Sequence, residues 1–443
     1  MNAARNDHRQ TRRHRVRSRA LAAWPSFALF ASLSACSSGE CPTLEACDIR
    51  DGGCQRHTAK VLGCLRGSGS TVPEITVVSA EAFIAEQVAE AEANPEPPED
   101  RNLRQGLSLF GLMDQDAGPA GVEREYWTNV AAFFSDTDQR VTILDRGEPL
   151  DEPASVNLLL HELVHALQST ERADAGIDCC DTYDEALAFR ALLEGEAELY
   201  QDLSMVYGYG DDPDELDWDD IYARFQSSAW ADLRSTRNAF ELAPLYFPYA
   251  YGGDYVNRAF RAGGNAAVHP LLRDGPRSTR QLLFGYGAAP PDDSSWQENP
   301  DEVGYPLFAP EWELVAAIHL GALLFEVFES LQGAGRFGDS GYLGDVLTIF
   351  AHRDSEDVVG VWRVRFDSAE RAATLAPRFA SNTLSATADA RDLILLSTRD
   401  ASLTESLARD LGFGPVPESE PEMGDDAPGR VAPIACALRP ASY

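Results

Sequence analysis

The sequence predicts an α+β fold in which a mostly helical core follows a short sheet and precedes a small α+β region. Two long segments with helical apolar periodicity form this core, one starting near Pro153 and the other capped by Thr182. Ahead of them, residues 140–144 have the β-branched composition of a short strand. Behind them, strands are predicted at 346–351 and at 361–366, where apolar residues alternate with arginines in the second segment.

The remaining elements follow from the same periodicities. They are helices at about 80–93, 123–134, 311–332 and from Asp367 onward, a proline-rich loop at 94–100, and a strand at 393–396. His319 falls in the apolar segment 311–332, which indicates a core histidine with a backbone partner. Residues 211–220 carry seven carboxylates but lack the glycine and ligand spacing of an EF-hand. We therefore expect a solvated loop there rather than a calcium site.

The N-terminus has the pattern of a lipoprotein signal peptide. Seven arginines precede an apolar stretch at 21–33, which is too short to span a bilayer permanently. The stretch ends in Leu33-Ser34-Ala35-Cys36, which resembles a bacterial lipobox. Cleavage before Cys36 would let acyl chains on that cysteine anchor the protein, at about 0.8 kcal/mol per buried methylene. Ser37 then favours the outer membrane, facing the periplasm or cell surface; an ordinary cleaved signal is the alternative.

The chain is strongly acidic. The formal net charge is −34, and removal of the first 35 residues, with seven arginines and one aspartate, brings it to −40. Such a surface repels nucleic acid and anionic lipid headgroups. We therefore expect no nucleic-acid partner, and membrane contact only through the lipid anchor.

The eight cysteines indicate an oxidising compartment. Four of them crowd into 24 residues: Cys41, Cys47, Cys54 and Cys64. Two disulfides there would staple a small module with too few apolar residues for its own core. A zinc knuckle is the alternative, although the spacings fit it poorly. Cys179 and Cys180 are adjacent, and either could pair with Cys436; the sequence leaves this connectivity open.

Residues His161-Glu162-Leu163-Val164-His165, within the first long helix, carry the strongest chemical signal. His161 and His165 are four positions apart and project from one helix face, where two imidazoles can chelate one zinc ion. Glu162 lies beside them and could take a proton from the attacking water. Burying these polar groups in an apolar helix is costly unless a metal pairs them. The alternative is a chance string whose histidines bond to backbone carbonyls.

A catalytic zinc ion needs a third protein ligand, and the second long helix offers one. Glu194 lies about three turns into that helix, and Glu198 follows on the same face. Glu198 could bond the distal nitrogen of a ligand histidine. Glu196 points elsewhere, roughly 200° around the helix from Glu194. A solvated acidic helix face is the alternative for this segment.

The two motifs together resemble those of the gluzincin metallopeptidases, the thermolysin-like group. Glu194-Gly195-Glu196-Ala197 is similar to the third-ligand helix of that group. The resemblance implies that His161, His165 and Glu194 bind Zn²⁺, and that Glu162 acts as general base and then as proton donor. It also implies that the strand at 140–144 lies beside the metal helix, with an edge that can pair with an extended peptide.

The likeness extends to a poorly characterised family of bacterial metallopeptidase-like lipoproteins. Similar phrases occur at 132–144, 247–252, 261–264 and 276–279. The resemblance covers roughly residues 105–285 and, more faintly, the C-terminal part. The chain departs from these groups in three places. The gap between His165 and Glu194 is longer than in thermolysin, Ser169-Thr170 replaces an Asp-Gln pair, and residues 280–285 lack a His-Pro pair.

Two tyrosines downstream of the motifs are further candidates for the site. Tyr249 and Tyr251 lie in an aromatic stretch, and a tyrosine hydroxyl could stabilise the oxyanion that forms during amide hydrolysis. Such tyrosines are more often packing residues, which is the alternative for both.

The sequence as a whole predicts a lipid-anchored, zinc-dependent metallopeptidase that acts on peptide or protein substrates in the envelope or outside the cell. The expected parts are a signal peptide at 1–35, the lipidated cysteine with a tether and disulfide module at 36–72, a metallopeptidase-like domain at 73–300, and a C-terminal helix and α+β region at 301–443. Two alternatives stay open: a non-catalytic binding lipoprotein on a gluzincin-like scaffold, and a zinc hydrolase of a non-peptide amide. Since only neutral imidazole binds metal, activity should collapse at low pH.

Overall fold

The described part of the chain comprises several ranges in a computed structural model. These are residues 41–69, 71–116, 118–177, 180–285, 311–333, 341–381 and 383–410. They form a mostly helical α+β fold, which confirms the predicted fold class. The predicted signal peptide, the lipidation site Cys36 and Cys436 lie outside the described residues.

The helices and strands have the following bounds. In chain order the helices are α1 (Gly52–Arg66), α2 (Ala80–Ala93), α3 (Pro98–Ser108), α4 (Pro119–Asn129), α5 (Pro153–Ala175), α6 (Tyr183–Tyr209), α7 (Trp218–Ser235), α8 (Ala239–Phe247), α9 (Gly253–Gly263), α10 (Asn265–Val268), α11 (Leu271–Asp274), α12 (Thr279–Phe284), α13 (Gly321–Leu331), α14 (Ala369–Phe379) and α15 (Ala401–Asp410). A π-type turn, Pro248–Gly252, joins α8 to α9, and a 3-10 turn, Pro213–Glu215, precedes α7. The strands are β1 (Glu74–Ser79), β2 (Ala132–Ser135), β3 (Arg140–Asp145), β4 (Trp312–Ile318), β5 (Tyr342–His352), β6 (Val358–Phe366), β7 (Leu384–Asp389) and β8 (Asp392–Thr398).

The first sheet has three strands in the order β1-β3-β2, with β1 parallel and β2 antiparallel to β3. The predicted strand at 140–144 is confirmed as β3. However, β3 is the central strand of this sheet. The edge strand that contacts α5 is β2, whereas the sequence predicted that β3 would supply this edge. The helix predicted over 123–134 is correspondingly too long, because α4 ends at Asn129. Phe134 is instead buried in β2 opposite Val141, and this long-range pairing outweighs the local helical periodicity.

The loop predicted at residues 94–100 is shorter than expected. The helix α2 has the predicted bounds, but α3 begins at Pro98, inside the expected loop at 94–100. Proline at a first helical position has its backbone angle already set for the helix and loses no hydrogen bond there. Glu99 and Asp100 then lie in the first turn, where carboxylates favour the helix dipole.

The cysteine-rich segment contains the two predicted disulfides, Cys41–Cys64 and Cys47–Cys54. Its helix α1 packs on α5 and α6, and Val61 and Leu62 share one apolar cluster with Leu160 of α5. The segment therefore obtains its apolar partners from the helical core. Cys180 is also disulfide-bonded, while Cys179 lies outside the described residues.

The C-terminal region is an antiparallel sheet of five described strands in the order β4-β5-β6-β8-β7. The predicted strands at 346–351, 361–366 and 393–396 lie within β5, β6 and β8, and the helix expected from Asp367 is α14, capped by Ser368. The predicted helix at 311–332 is wrong in its first half. Residues 312–318 form β4 because they pair with β5, and α13 starts only at Gly321.

The boundary between β4 and α13 depends on Gly321 and His319. Gly321 has a φ of 86°, and a Cβ there would collide with the carboxyl of Asp184 on α6. His319 bonds through Nδ1 to the carbonyl of Asp345, which confirms the predicted backbone partner. Asp345 also accepts hydrogen bonds from the backbone of Gly321 and from Trp362. These contacts join the C-terminal sheet to the N-terminal end of α6.

The large apolar cluster spans both parts, because Leu187 and Ala191 of α6 belong to the same cluster as Phe325 and Trp362. Residues 211–220 lie mostly at the surface, as predicted, but the predicted loop ends early, because α7 begins at the buried Trp218. Within the described ranges, none of the helices combines the length and the apolar character needed to cross a bilayer.

Candidate metal centre

The helix α5 presents the His-Glu-x-x-His motif from a buried position. It begins with Pro153 at its first turn and ends at Gly176, whose left-handed conformation lets its backbone N–H cap the last turn. His161, Glu162 and His165 are each buried, at 4–6% exposure. The motif is therefore largely shielded from bulk water, and an unpaired polar atom in it is costly.

The helix α6 brings the third candidate ligand to the same point. The hydroxyl of Thr182 accepts a hydrogen bond from the backbone N–H of Glu185, as the predicted cap requires. A Cβ on Gly195 would collide with the carbonyl of Gly252, so the glycine permits close packing of α6 on the π-type turn. This contact places Tyr249 next to the motif helix.

His161, His165 and Glu194 converge on one point. The distances from His161 Nε2 to His165 Nε2, from His161 Nε2 to Glu194 Oε2 and from His165 Nε2 to Glu194 Oε2 are each 3.2 Å. Ligands at about 2.0–2.1 Å from a tetrahedral zinc ion lie about 3.3 Å apart. Within the described residues, these three form the one group of histidine, cysteine and carboxylate side chains with metal-binding geometry.

The orientation of His165 leaves a lone pair directed at this point. Its Nδ1 lies 2.8 Å from Gln168 Oε1, so Nδ1 carries the hydrogen and donates it. Nε2 is then unprotonated in the neutral ring. A neutral ring of this tautomer is the form of histidine that binds a metal through Nε2.

The surroundings of His161 favour positive charge. Burial lowers its pKa, but the hydrogen bond to Glu194 and the nearby carboxylates of Glu162, Glu194 and Glu198 raise it to about 9. Glu198 Oε2 lies 3.9 Å from His161 Nδ1, beyond hydrogen-bond distance but on the face that the sequence predicts. The bond between Glu198 and the histidine therefore stays a prediction.

Glu194 divides its two oxygens between partners. Oε2 faces the two histidines, while Oε1 lies 3.3 Å from Arg190 Nη2, one helical turn earlier. Burial would raise the pKa of Glu194, but His165, His161 and Arg190 outweigh it and hold the pKa well below the usual range. The carboxylate is therefore ionised and presents one oxygen to the candidate metal position.

Glu162 is placed to move a proton. Its Oε2 is buried and has no hydrogen-bond partner within the described residues, and the backbone of Phe134 on β2 bonds to its carboxylate. Burial raises its pKa, against the nearby histidines, which lower it. A carboxyl group whose pKa lies above its usual value is better suited to accept and return a proton near neutral pH.

The two candidate tyrosines lie in different surroundings. The Tyr249 ring stacks against His161, with centroids 5.9 Å apart, and burial followed by Glu194 raises its pKa well above the usual value. Tyr251 is 1% exposed, belongs to the large apolar cluster and stacks on Phe247 at 4.9 Å. Tyr249 is thus beside the candidate ligands, and Tyr251 packs in the core.

The sequence did not predict three further residues around the candidate ligands. Gln168 and Arg190 contact His165 and Glu194 directly, and Arg66 is connected to His165 through Glu196 and Gln168. Gln168 and Arg190 lie one turn from His165 and Glu194, so helical spacing could have found both. Arg66 contacts Glu196 from a helix 130 positions away, and no local pattern signals such a contact. Comparisons with protein families, curated proteins and solved structures find no match for the chain.

Proposed function

We propose that this protein is a zinc-dependent metallopeptidase, anchored by lipid on Cys36 to the bacterial outer membrane. The observation that carries the proposal is the 3.2 Å triangle of His161 Nε2, His165 Nε2 and Glu194 Oε2, with Glu162 beside it. Two imidazole nitrogens and one carboxylate oxygen are the ligand set of many catalytic zinc sites. A divalent cation bound there would take the place of the proton that His161 otherwise carries beside Glu194.

Zinc bound there would polarise a scissile carbonyl and acidify the attacking water. Glu162 would accept a proton from the water and deliver it to the departing amine, while the Phe134 backbone holds the carboxylate in place. Tyr249 stacks against the ring of His161 and is the candidate for stabilising the oxyanion.

The edge strand β2 supports a peptide as the substrate class. The backbone of Leu144 donates to Ala131, so the alternate residues Ala132 and Phe134 direct their backbone groups away from β3. The Phe134 N–H already bonds to Glu162, but an extended chain could add to this edge through the backbone of Ala132 and the carbonyl of Phe134, close to Glu162. Recognition of this kind reads the peptide backbone, so a polypeptide fits it better than an isolated amide.

The test is cleavage of a mixed peptide library by the mature chain, residues 37–443, loaded with zinc. Glu162→Gln should retain one zinc ion and lose the base, so kcat/KM should fall by roughly 100- to 10,000-fold. Glu152→Gln is the matched control, because Glu152 is exposed at the start of the same helix and makes no capping bond. That variant should cleave as the wild type does.

The outcomes separate the three functions. Cuts made by the wild type and by Glu152→Gln, but absent with Glu162→Gln, would support a peptidase. No cuts from zinc-loaded wild type would refute it. A cell-wall amide or another non-peptide substrate, or a non-catalytic binding partner, would then be tested on the same protein.

A further inference from the structure

A chain of buried polar contacts connects α1 to the candidate ligand His165. Arg66 Nε lies 2.9 Å from Glu196 Oε1, Glu196 Oε2 lies 3.0 Å from Gln168 Nε2, and Gln168 Oε1 lies 2.8 Å from His165 Nδ1. Arg66 and Gln168 are each 1% exposed. Water therefore cannot replace a missing partner without a change in the packing.

The partners of Gln168 determine which end of its amide faces His165. Its Nε2 donates to the carbonyl of Leu193, at 2.9 Å, and to the carboxylate of Glu196. A backbone carbonyl can only accept a hydrogen bond, so the NH₂ group of Gln168 must face Leu193. The amide oxygen must then face His165, and this oxygen accepts a hydrogen from Nδ1.

We propose that Gln168, Glu196 and Arg66 are positioning residues that hold His165 in the tautomer with hydrogen on Nδ1. This inference rests on the proposed metal site but not on peptide cleavage. A reversed amide would present its NH₂ group to His165 and favour hydrogen on Nε2, which blocks that nitrogen as a ligand. The three residues thus act on the metal through one imidazole ring.

Arg66 gives the cysteine-rich segment a role at the site. It is the last residue of α1, two positions after Cys64, which is bonded to Cys41. Its guanidinium also binds Glu171, with Nη2 2.6 Å from Oε2. Without Arg66, the carboxylate of Glu196 would be buried without its cation, and its contact with Gln168 would weaken.

The experiment measures zinc affinity by chelator competition on the mature chain, residues 37–443. Gln168→Leu removes the acceptor for His165 and should lower the affinity about 10- to 100-fold. Glu171→Gln changes the more exposed partner of Arg66 and leaves the side chains of Arg66, Glu196, Gln168 and His165 in place, so zinc affinity should stay within about threefold of wild type. This second variant is the matched control for loss of one Arg66 contact.

A double variant tests the direction of the hydrogen bonds. Gln168→Glu with Glu196→Gln restores an acceptor for His165 Nδ1 and a donor from position 196, but leaves the carbonyl of Leu193 without its donor. Zinc affinity should therefore recover in part, to a value clearly above that of Gln168→Leu. Nitrogen-15 spectra of histidine in the metal-free proteins give an independent measurement. Hydrogen should be on Nδ1 of His165 in wild type and in the double variant, and should be shared between both nitrogens in Gln168→Leu.

Unchanged zinc affinity in Gln168→Leu would overturn the positioning role and leave the proposed peptidase intact. A wild type that binds no zinc would overturn both proposals. A wild type that binds zinc and cuts no peptide would overturn only the peptidase. A double variant with zinc affinity no higher than that of Gln168→Leu, at unchanged melting temperature, would contradict the proposed direction of the hydrogen bonds and overturn the positioning role.

Discussion

The metal centre and the C-terminal region both bury carboxylates, but they surround them differently. Glu194 and Glu196 are in contact with Arg190 and Arg66, respectively. Glu329 on α13 is 0% exposed, and neither of its oxygens has a hydrogen-bond partner within the described residues. Burial is therefore not a sign of a ligand site; the position of cations and the convergence of donor atoms are.

The two regions also differ in the pKa values of their buried carboxylates. The histidines and Arg190 hold the pKa of Glu194 low despite its burial. Burial, and then Glu326, raise the pKa of Glu329 to about 8, against a smaller opposing effect of Arg378. At neutral pH the first carboxylate is ionised and can bind a cation, while the second is mostly protonated and neutral.

The largest expected effect is on the first region. Glu194→Ala should weaken zinc binding on the order of 1000-fold, about 4 kcal/mol, because it removes one of three ligands. Glu329→Ala should leave zinc affinity unchanged, because Glu329 is outside the ligand group. Isothermal titration of the metal-free proteins with zinc checks both. Full affinity in Glu194→Ala would remove Glu194 from the site.

The second-largest expected effect concerns the disulfide Cys41–Cys64, which holds α1 and its last residue, Arg66. Replacing both Cys41 and Cys64 by alanine opens a loop with a sequence separation of 23 and should lower the free energy of unfolding by about 3 kcal/mol. Zinc affinity should fall as well, because Arg66 lies at the end of the freed helix. Urea unfolding and chelator competition measure the two quantities. A loss of stability without a loss of affinity would separate the disulfide from the metal.

The smallest effect on zinc binding is expected at Glu329 in the second region, which should instead make stability depend on pH. The pKa of Glu329 is about 8 in the folded protein and about 4.5 when unfolded, so folding favours the protonated form. Its contribution to stability is therefore lost as the pH rises from about 4.5 through 8. Glu329→Gln should be more stable than wild type by about 4 kcal/mol at pH 8 and nearly equal to it near pH 4.5.

Denaturant unfolding at several pH values tests this prediction. Glu405→Gln is the control, because Glu405 is exposed and forms an ion pair with Arg409 on a surface helix. It should change stability by less than about 0.5 kcal/mol at every pH. Parallel curves for Glu329→Gln and wild type would show that Glu329 titrates normally.

The candidate ligands could be predicted because their geometry is mostly local. His161 and His165 share a face whenever residues 161–165 are helical, and the helix start at Pro153 is set by nearby residues. The placement of Glu194 needed only a second helix with a recognisable cap at Thr182. The two disulfides of the N-terminal segment followed from cysteine spacing and compartment.

Other features could not be predicted, because they depend on partners distant in sequence. Residues 312–318 suit a helix or a strand locally, and pairing with β5 decides for the strand. Phe134 likewise joins β2 because β3 is there to pair with it. Local propensity is a weak effect that a sheet partner can outweigh.

The sequence by itself determined the mostly helical α+β class, the spacing of the candidate zinc ligands and the position of Glu162 next to them, because helical periodicity repeats every few residues. Only the tertiary structure decided that Arg66, Glu196 and Gln168 orient His165, and that Tyr249 rather than Tyr251 lies beside His161. These contacts join separate helices and a turn. Their geometry is fixed by packing, and no local sequence pattern encodes it.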